Sequence, residues 1–315
     1  MSIIWCGGED IDFPNGGAVT INTGRQRAAY ARCGLVCAAT NKTKAFSPIT
    51  AGWLHFYCYF NSSSTSKTLA GLVDLSSGKG VFVRVSATTA KLAIATFDGS
   101  SFAQLAEESG ASFTSAGLFD LQITNFGASS NIKLYFNGTL KIDFTGDSSI
   151  SGISELNSVA IVGSAAVDYY LSELIVADED TRLMSLKTLA PNADGDASEW
   201  TNGYASIDEV TISDADTIYT DTADQSFQCN LTGMPAGDFI CKGVRVAVRA
   251  TDGVGGIGIQ IGVKTNSTVD LGASITLGGV WETDEKLYQL NPVTSNRFTP
   301  AEIEALQIAV KSVAV

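Results

Sequence analysis

Asn131-Ile-Lys-Leu-Tyr-Phe-Asn-Gly-Thr-Leu-Lys-Ile-Asp-Phe144 decides the fold class. Apolar and polar side chains alternate on both sides of Asn137-Gly138, and that pair tolerates the positive φ that a two-residue hairpin turn demands. Two antiparallel strands follow. Working outward, the same period of two recurs at 53–60, 69–75, 80–86, 90–97, 117–124, 131–137 and 158–163. Asp98-Gly99 repeats the turn signal between 90–97 and the segment around Phe102. The pattern closes with a long strand, Val167 to Ala177, expected to return beside the N-terminal one.

Beyond residue 200 the runs at 207–212, 226–231, 239–250, 256–264 and 272–277 read as a second β region. Thr299-Pro-Ala-Glu302 is a capping box with Pro at the first helical position, so one short helix is expected from Pro300 to Gln307, then a closing strand over 308–315. With 315 residues, 45% hydrophobic and only 6 Pro against 31 Gly, the chain holds two cores of brief strands and tight turns. An all-β fold of two β-sandwich domains is expected: 1–180, an acidic connector over 181–200, and a smaller sandwich with one short helix over 201–315.

Charge narrows the partners. The formal net charge is −13, and residues 178–225 hold twelve carboxylates against Arg182 and Lys187, a surface that repels phosphate backbones and anionic headgroups. No nucleic acid and no membrane are expected. The start, Met1 to Glu9, lacks the basic and apolar regions of a signal peptide, which leads to the expectation of folding in a cytoplasm.

Catalytic signals are sparse. His55 is the only histidine and lies inside a strand between Leu54 and Phe56, with no nucleophile elbow in the chain, so a structural role is expected and the protein is read as a non-enzyme. The carboxylates Asp120, Asp143, Asp147, Glu155, Asp168 and Glu173 could serve a glycosidase only as a flanking pair, and they carry no such signature. Gly253-Val-Gly-Gly-Ile-Gly258 lacks the following helix a phosphate cradle needs and reads as a flexible hairpin. Asn192, Asp194 and Asp196 space oxygen ligands at alternate positions, either a Ca²⁺ loop or an ordinary acidic turn. Cys229 and Cys241 lie symmetrically about Pro235 and would face each other across a hairpin as a disulfide. Cys33 and Cys37 stand about 13 Å apart in an extended segment, too far to pair together. They could pair with Cys6, Cys58 or a neighbouring chain, the alternative for every cysteine here being a small buried apolar thiol in a reducing cytoplasm.

Two resemblances add to this. Gly52-Trp-Leu-His-Phe-Tyr57, Gly117-Leu-Phe-Asp-Leu-Gln-Ile-Thr124, Lys133-Leu-Tyr-Phe-Asn-Gly138, Val159-Ala-Ile-Val-Gly163 and Tyr170-Leu-Ser-Glu-Leu-Ile175 follow the order seen in concanavalin A-like, laminin-G-type jelly rolls. Asn192 to Trp200, Ile207-Asp-Glu, Thr217-Ile-Tyr219, the strand with Arg245 and Arg249, and Phe298 to Ile308 resemble C-terminal modules of tailed-phage virion proteins, as does Ile4-Trp-Cys-Gly-Gly-Glu-Asp10. The second resemblance implies a structural virion component, such as a capsid decoration or minor capsid, collar or tail-surface protein, assembled in a host cytoplasm. Its implied partners are capsid, neck or tail proteins and further copies of itself, with disulfide crosslinks formed once the particle is oxidised. The alternative is a carbohydrate-binding module touching host glycans, with Trp53, Tyr57, Tyr59, Tyr135 and Tyr169 available to stack on sugars.

Overall fold

The structure is a computed structural model that describes residues 2–13, 19–27, 29–37, 41–60, 67–86, 88–110, 116–163, 169–235, 237–253 and 255–315. The chain forms two compact units, Met1–Leu186 and Lys187–Val315.

The N-terminal unit carries β1 (Ile3–Gly7), β2 (Val19–Asn22), β3 (Gly34–Cys37), β4 (Lys42–Ile49), β5 (Gly52–Phe60), β6 (Lys67–Val73), β7 (Gly80–Val85), β8 (Leu92–Phe97), β9 (Phe102–Glu107), β10 (Gly117–Asn125), β11 (Ser130–Phe136), β12 (Thr139–Gly146), β13 (Leu156–Ile161) and β14 (Tyr169–Ala177). One antiparallel sheet runs β12-β11-β10-β5-β14-β3-β2 and the other β4-β13-β6-β7-β8-β9. Strand β1 pairs with the C-terminal half of β14, Cys6 opposite Ile175, so the expected return beside the N-terminal strand is found. At the deciding hairpin, Asn137 and Gly138 have φ of 48° and 74°, the left-handed pair that lets strand twist continue through the turn.

The core lies between these sheets. Leu54, Phe56, Phe119, Leu121, Ile132, Leu134 and Leu171 come from the larger sheet and Leu69, Leu72, Val81, Val83, Leu92, Ile94, Val159 and Ile161 from the smaller. All are fully buried, each contributing roughly 1.5–3 kcal/mol of transfer free energy. Tyr169 ties the layers together, its hydroxyl donating to the Thr68 carbonyl at 2.8 Å and also meeting the Val162 carbonyl.

The C-terminal unit carries β15 (Pro191–Ser198), β16 (Ser226–Leu231), β17 (Val244–Ala250), β18 (Ile257–Thr265), β19 (Thr268–Leu271), β20 (Glu282–Tyr288), α1 (Pro300–Glu304) and β21 (Gln307–Ala314). Its main sheet runs β15-β16-β21-β18-β19, and β17 pairs with β20 alone. Val246, Val263, Tyr288, Phe298, Ile303 and Leu306 form one core cluster and Ile259, Ile261, Leu277 and Val310 another. The capping box forms as expected: Thr299 Oγ1 accepts the Glu302 amide at 3.2 Å and Glu302 Oε2 accepts the Thr299 amide at 2.8 Å. The helix is shorter than expected because Gln307 already opens β21.

Three expectations are corrected. Residues 181–200 are not one connector: 181–186 belong to the first unit, and 191–198 is a strand of the second. The apolar run at 207–212 forms no strand. That at 272–277 contributes only an isolated bridge, Ile259 to Ile275, farther along the β18 edge that β19 lines at Gly262–Thr265.

Candidate functional site

On β5, Leu54, Phe56 and Cys58 point into the core, so Trp53, His55, Tyr57 and Tyr59 lie on the outer face of the larger sheet. His55 is fully buried, its Nδ1 bonded to Asp120 Oδ1 at 2.7 Å, and Asp120 is its register partner on β10. Thr181 Oγ1 donates to the same oxygen at 2.7 Å. The segment after β14 is thus seated on this face by a buried polar group. Glu173, in a bulge of β14 with φ of 55°, holds it again by accepting the Leu186 amide at 3.2 Å and Arg27 Nη1 at 3.5 Å. His55, Asp120 and Thr181 are all fully buried, so solvent does not reach this group.

Burial raises the pKa of Glu173, opposed by Arg27 and His55. Its proton is therefore held more tightly in the folded than in the unfolded chain. The stabilising share is present below the ordinary value of 4.5 and is lost as pH rises through the folded pKa. Glu173→Gln is expected to flatten the stability profile between about pH 4.5 and neutrality, measured by denaturant midpoints. A profile parallel to the parent's would refute the assignment.

The other carboxylates scatter. Asp143 faces Lys133 at 3.5 Å, Asp147 accepts the Ser149 amide at 2.8 Å, Glu155 is exposed, and Asp168 lies outside the described residues. The glycine segment makes a turn: Asp252 Oδ1 accepts the Gly255 amide at 2.8 Å ahead of β18, while Val254 lies outside the described residues.

The expected Ca²⁺ loop is a strand. Asn192, Asp194 and Asp196 alternate on the exposed face of β15, where successive same-side positions lie about 7 Å apart. Ligands at about 2.4 Å from one ion need far closer convergence. Asp194 instead accepts the Tyr204 amide at 2.8 Å, and Asp196 is ion-paired with Lys264 and accepts from Gln307 Nε2 at 3.2 Å. Among the described residues no group of three or more His, Cys, Asp or Glu could hold a metal.

The cysteine expectations also change. β16 pairs with β15 and β21, placing Cys229 between Asp194 and Ile308, while Cys241 packs beside the Val246 and Phe298 cluster. The hairpin that would oppose them does not form, because β17 pairs with β20 instead, and both are free thiols. Cys6, Cys33 and Cys58 are also buried and not in disulfides. Cys33 donates weakly to Glu9 Oε2 at 3.6 Å; burial and that carboxylate raise its pKa, burial alone raises that of Cys58, and burial with Asp194 pushes Cys229 to about 12. Such thiols resist crosslinking in the folded unit. The Cys37 side chain lies outside the described residues.

Four of the five aromatics expected to stack on sugar are engaged or buried. Trp53 and Tyr135 stack at 5.7 Å beneath the Arg182 guanidinium, 4.6 Å above the Tyr135 ring. Tyr59 lies under Arg25, Tyr169 is buried, and Tyr57 is only half-exposed. Arg182 also lines a shallow cavity of about 280 Å³ with Gly138, Asp180 and Leu183, but Asp180 already neutralises it.

A better platform lies on the outer face of the smaller sheet. Phe97 and Phe102 oppose each other across the Asp98-Gly99 turn with ring centroids 4.7 Å apart, and Phe82 packs edge-on to Phe102 at 5.5 Å. The Phe82 ring lies over Gly71, where any Cβ would meet its Cδ1 at 2.5 Å. Arg84 lies 4.1 Å above the Phe102 ring, and its Nε donates to Thr68 Oγ1 at 2.9 Å. Phe97, Phe102 and Arg84 are partly exposed, and Gln104 beside them is exposed. Small residues, Gly71, Ala93, Ala95 and Ala160, floor this face. Sequence reading missed the platform, although the Asp98-Gly99 turn was a signal that 97 and 102 are neighbours.

No family model matches the chain, and no curated protein matches it. Among solved structures it is similar to the carbohydrate-binding module CBM66 from Bacillus subtilis, with 14% identity over 52% of this chain and 92% of that one, at a TM-score of 0.35. It is also similar to the alginate lyase Aly36B, with 14% identity over 60% and 98% at 0.37, and to the Caenorhabditis elegans galectin LEC-6, with 15% over 44% and 90% at 0.30. At such identities and TM-scores these likenesses decide nothing about this chain, whose N-terminal unit is a β-sandwich by its own two antiparallel sheets.

Proposed function

We propose that the protein is a non-catalytic, glycan-contacting β-sandwich protein whose N-terminal unit meets sugar on the outer face of β7, β8 and β9. The observation that carries this is the partly exposed aromatic and guanidinium platform of Phe97, Phe102 and Arg84, beside the exposed amide of Gln104. Sugar rings have an apolar face that rests on aromatic carbon and equatorial hydroxyls that take planar donors, so both halves of the ligand find a partner here. Supporting the absence of turnover, the one histidine is buried on Asp120.

The test is a glycan array probed with the full chain and with Phe102→Ala. The parent is expected to bind a restricted set of glycans, and the variant to lose about tenfold or more in affinity, on the order of 1.4 kcal/mol. Arrays blank for the parent would end the reading.

A virion surface is the setting we propose for this contact, supported by the motifs near both ends of the chain that resemble tailed-phage virion proteins. Finding the chain on a purified particle by electron microscopy is its test.

A further inference from the structure

We propose that Arg84 receives the carboxylate of a uronic acid residue, so that the glycan bound on this face is an acidic polysaccharide; the inference rests on the glycan-contacting reading above. Five other arginines meet carboxylates, Arg27 with Glu173, Arg32 with Glu9, Arg182 with Asp180, Arg245 with Glu285 and Arg249 with Asp214, while Arg25 meets the Tyr59 hydroxyl and Arg297 the Cys241 carbonyl. Arg84 meets no carboxylate. Among the described residues its hydrogen bonding is confined to Nε, which donates to Thr68 Oγ1, while the two Nη groups have no protein acceptor. Glu107, two strands away in register through Ala93, is engaged by Thr89 Oγ1 at 2.7 Å.

The guanidinium is nevertheless held in place. Thr68 fixes its Nε edge and the Phe102 ring supports its plane, so the fork of Nη donors is oriented before any ligand arrives. Partial burial lowers its pKa, the sign of a cation that has given up water without gaining a counter-ion. A planar carboxylate accepting one hydrogen bond from each Nη supplies that counter-ion with matching geometry. On a pyranose ring the carboxylate projects from the carbon next to the ring oxygen. With it on Arg84, the ring is brought beside Phe97 and Phe102, and its hydroxyls come within reach of Gln104.

Affinity electrophoresis of the full chain tests this, in gels containing polygalacturonate, its methyl ester, or neutral galactan. Retardation by polygalacturonate is expected to exceed that by the ester about tenfold and to weaken with added salt. Arg84→Lys, which keeps the charge but loses the fork, is expected to lose most of that preference, and Arg84→Gln all of it, with thermal unfolding checked for each. Equal retardation by polygalacturonate and its ester, a comparison that needs no variant, would overturn the uronate assignment while leaving the glycan reading in place. No retardation in any gel would remove both.

Discussion

Asp120→Ala is expected to lower the unfolding midpoint of the N-terminal unit by about 10 °C, at a cost of roughly 3–5 kcal/mol. Asp120 is fully buried and its Oδ1 serves two buried partners at 2.7 Å each, His55 Nδ1 and Thr181 Oγ1. Truncation strands both groups away from water, and stranded polar groups cost more than the bond itself contributed. It also frees the segment after β14 from the face of the sheet, so proteolysis near Thr181 should accelerate. Asp120→Asn, which keeps an acceptor, is expected to lose less. Calorimetry resolves the outcome, because the C-terminal unit is expected to melt unchanged and serves as the internal control. A midpoint within 2 °C of the parent's would show that the buried bonds carry little.

Gly262→Ala is the matching experiment in the C-terminal unit, with an expected loss of about 2–4 kcal/mol. Gly262 sits on β18 opposite Leu271 of β19 and Ala309 of β21. A Cβ there would run into the backbone carbonyl of Asp270 and stand 2.9 Å from the Tyr288 hydroxyl. That hydroxyl donates to the Asp270 carbonyl at 2.9 Å and also meets its carboxylate, so the obstacle is a backbone strand fixed from two sides. Relief requires moving β19 off the sheet or expelling Tyr288 from the core cluster. A loss of near-ultraviolet tyrosine signal together with a lowered second transition is the expected readout. An unchanged second transition would mean that β19 yields freely.

Much of the N-terminal sandwich was legible because its signals are local. Asn137-Gly138 and Asp98-Gly99 are turns that announce themselves within four residues, and both form, Asp98 Oδ1 accepting the Ser100 and Ser101 amides at 2.8 Å. The capping box at Thr299 is equally local. What escaped depends on register between distant segments. His55 and Asp120 are 65 residues apart and meet only because β5 and β10 align residue for residue. Arg84 acquires its character from Thr68 on β6 and Phe102 on β9, neither adjacent in sequence. β15 was hidden for another reason. Its Asn, Asp and Gly composition reads as loop, and only pairing with β16 makes it a strand, since one side alone is covered. The same error produced the cation loop, because alternate spacing of oxygen side chains is shared by a coordinating turn and by the wet side of an edge strand.

Strand β15 forms one margin of its sheet, and such margins offer unpaired amides and carbonyls that another polypeptide can adopt as a template. With Asp194 and the Asp196–Lys264 ion pair on its exposed face, an approaching copy of the same margin must strip water from charged groups before any backbone bond can close. The carboxylates that coordinate nothing thereby act as a deterrent to fibre growth.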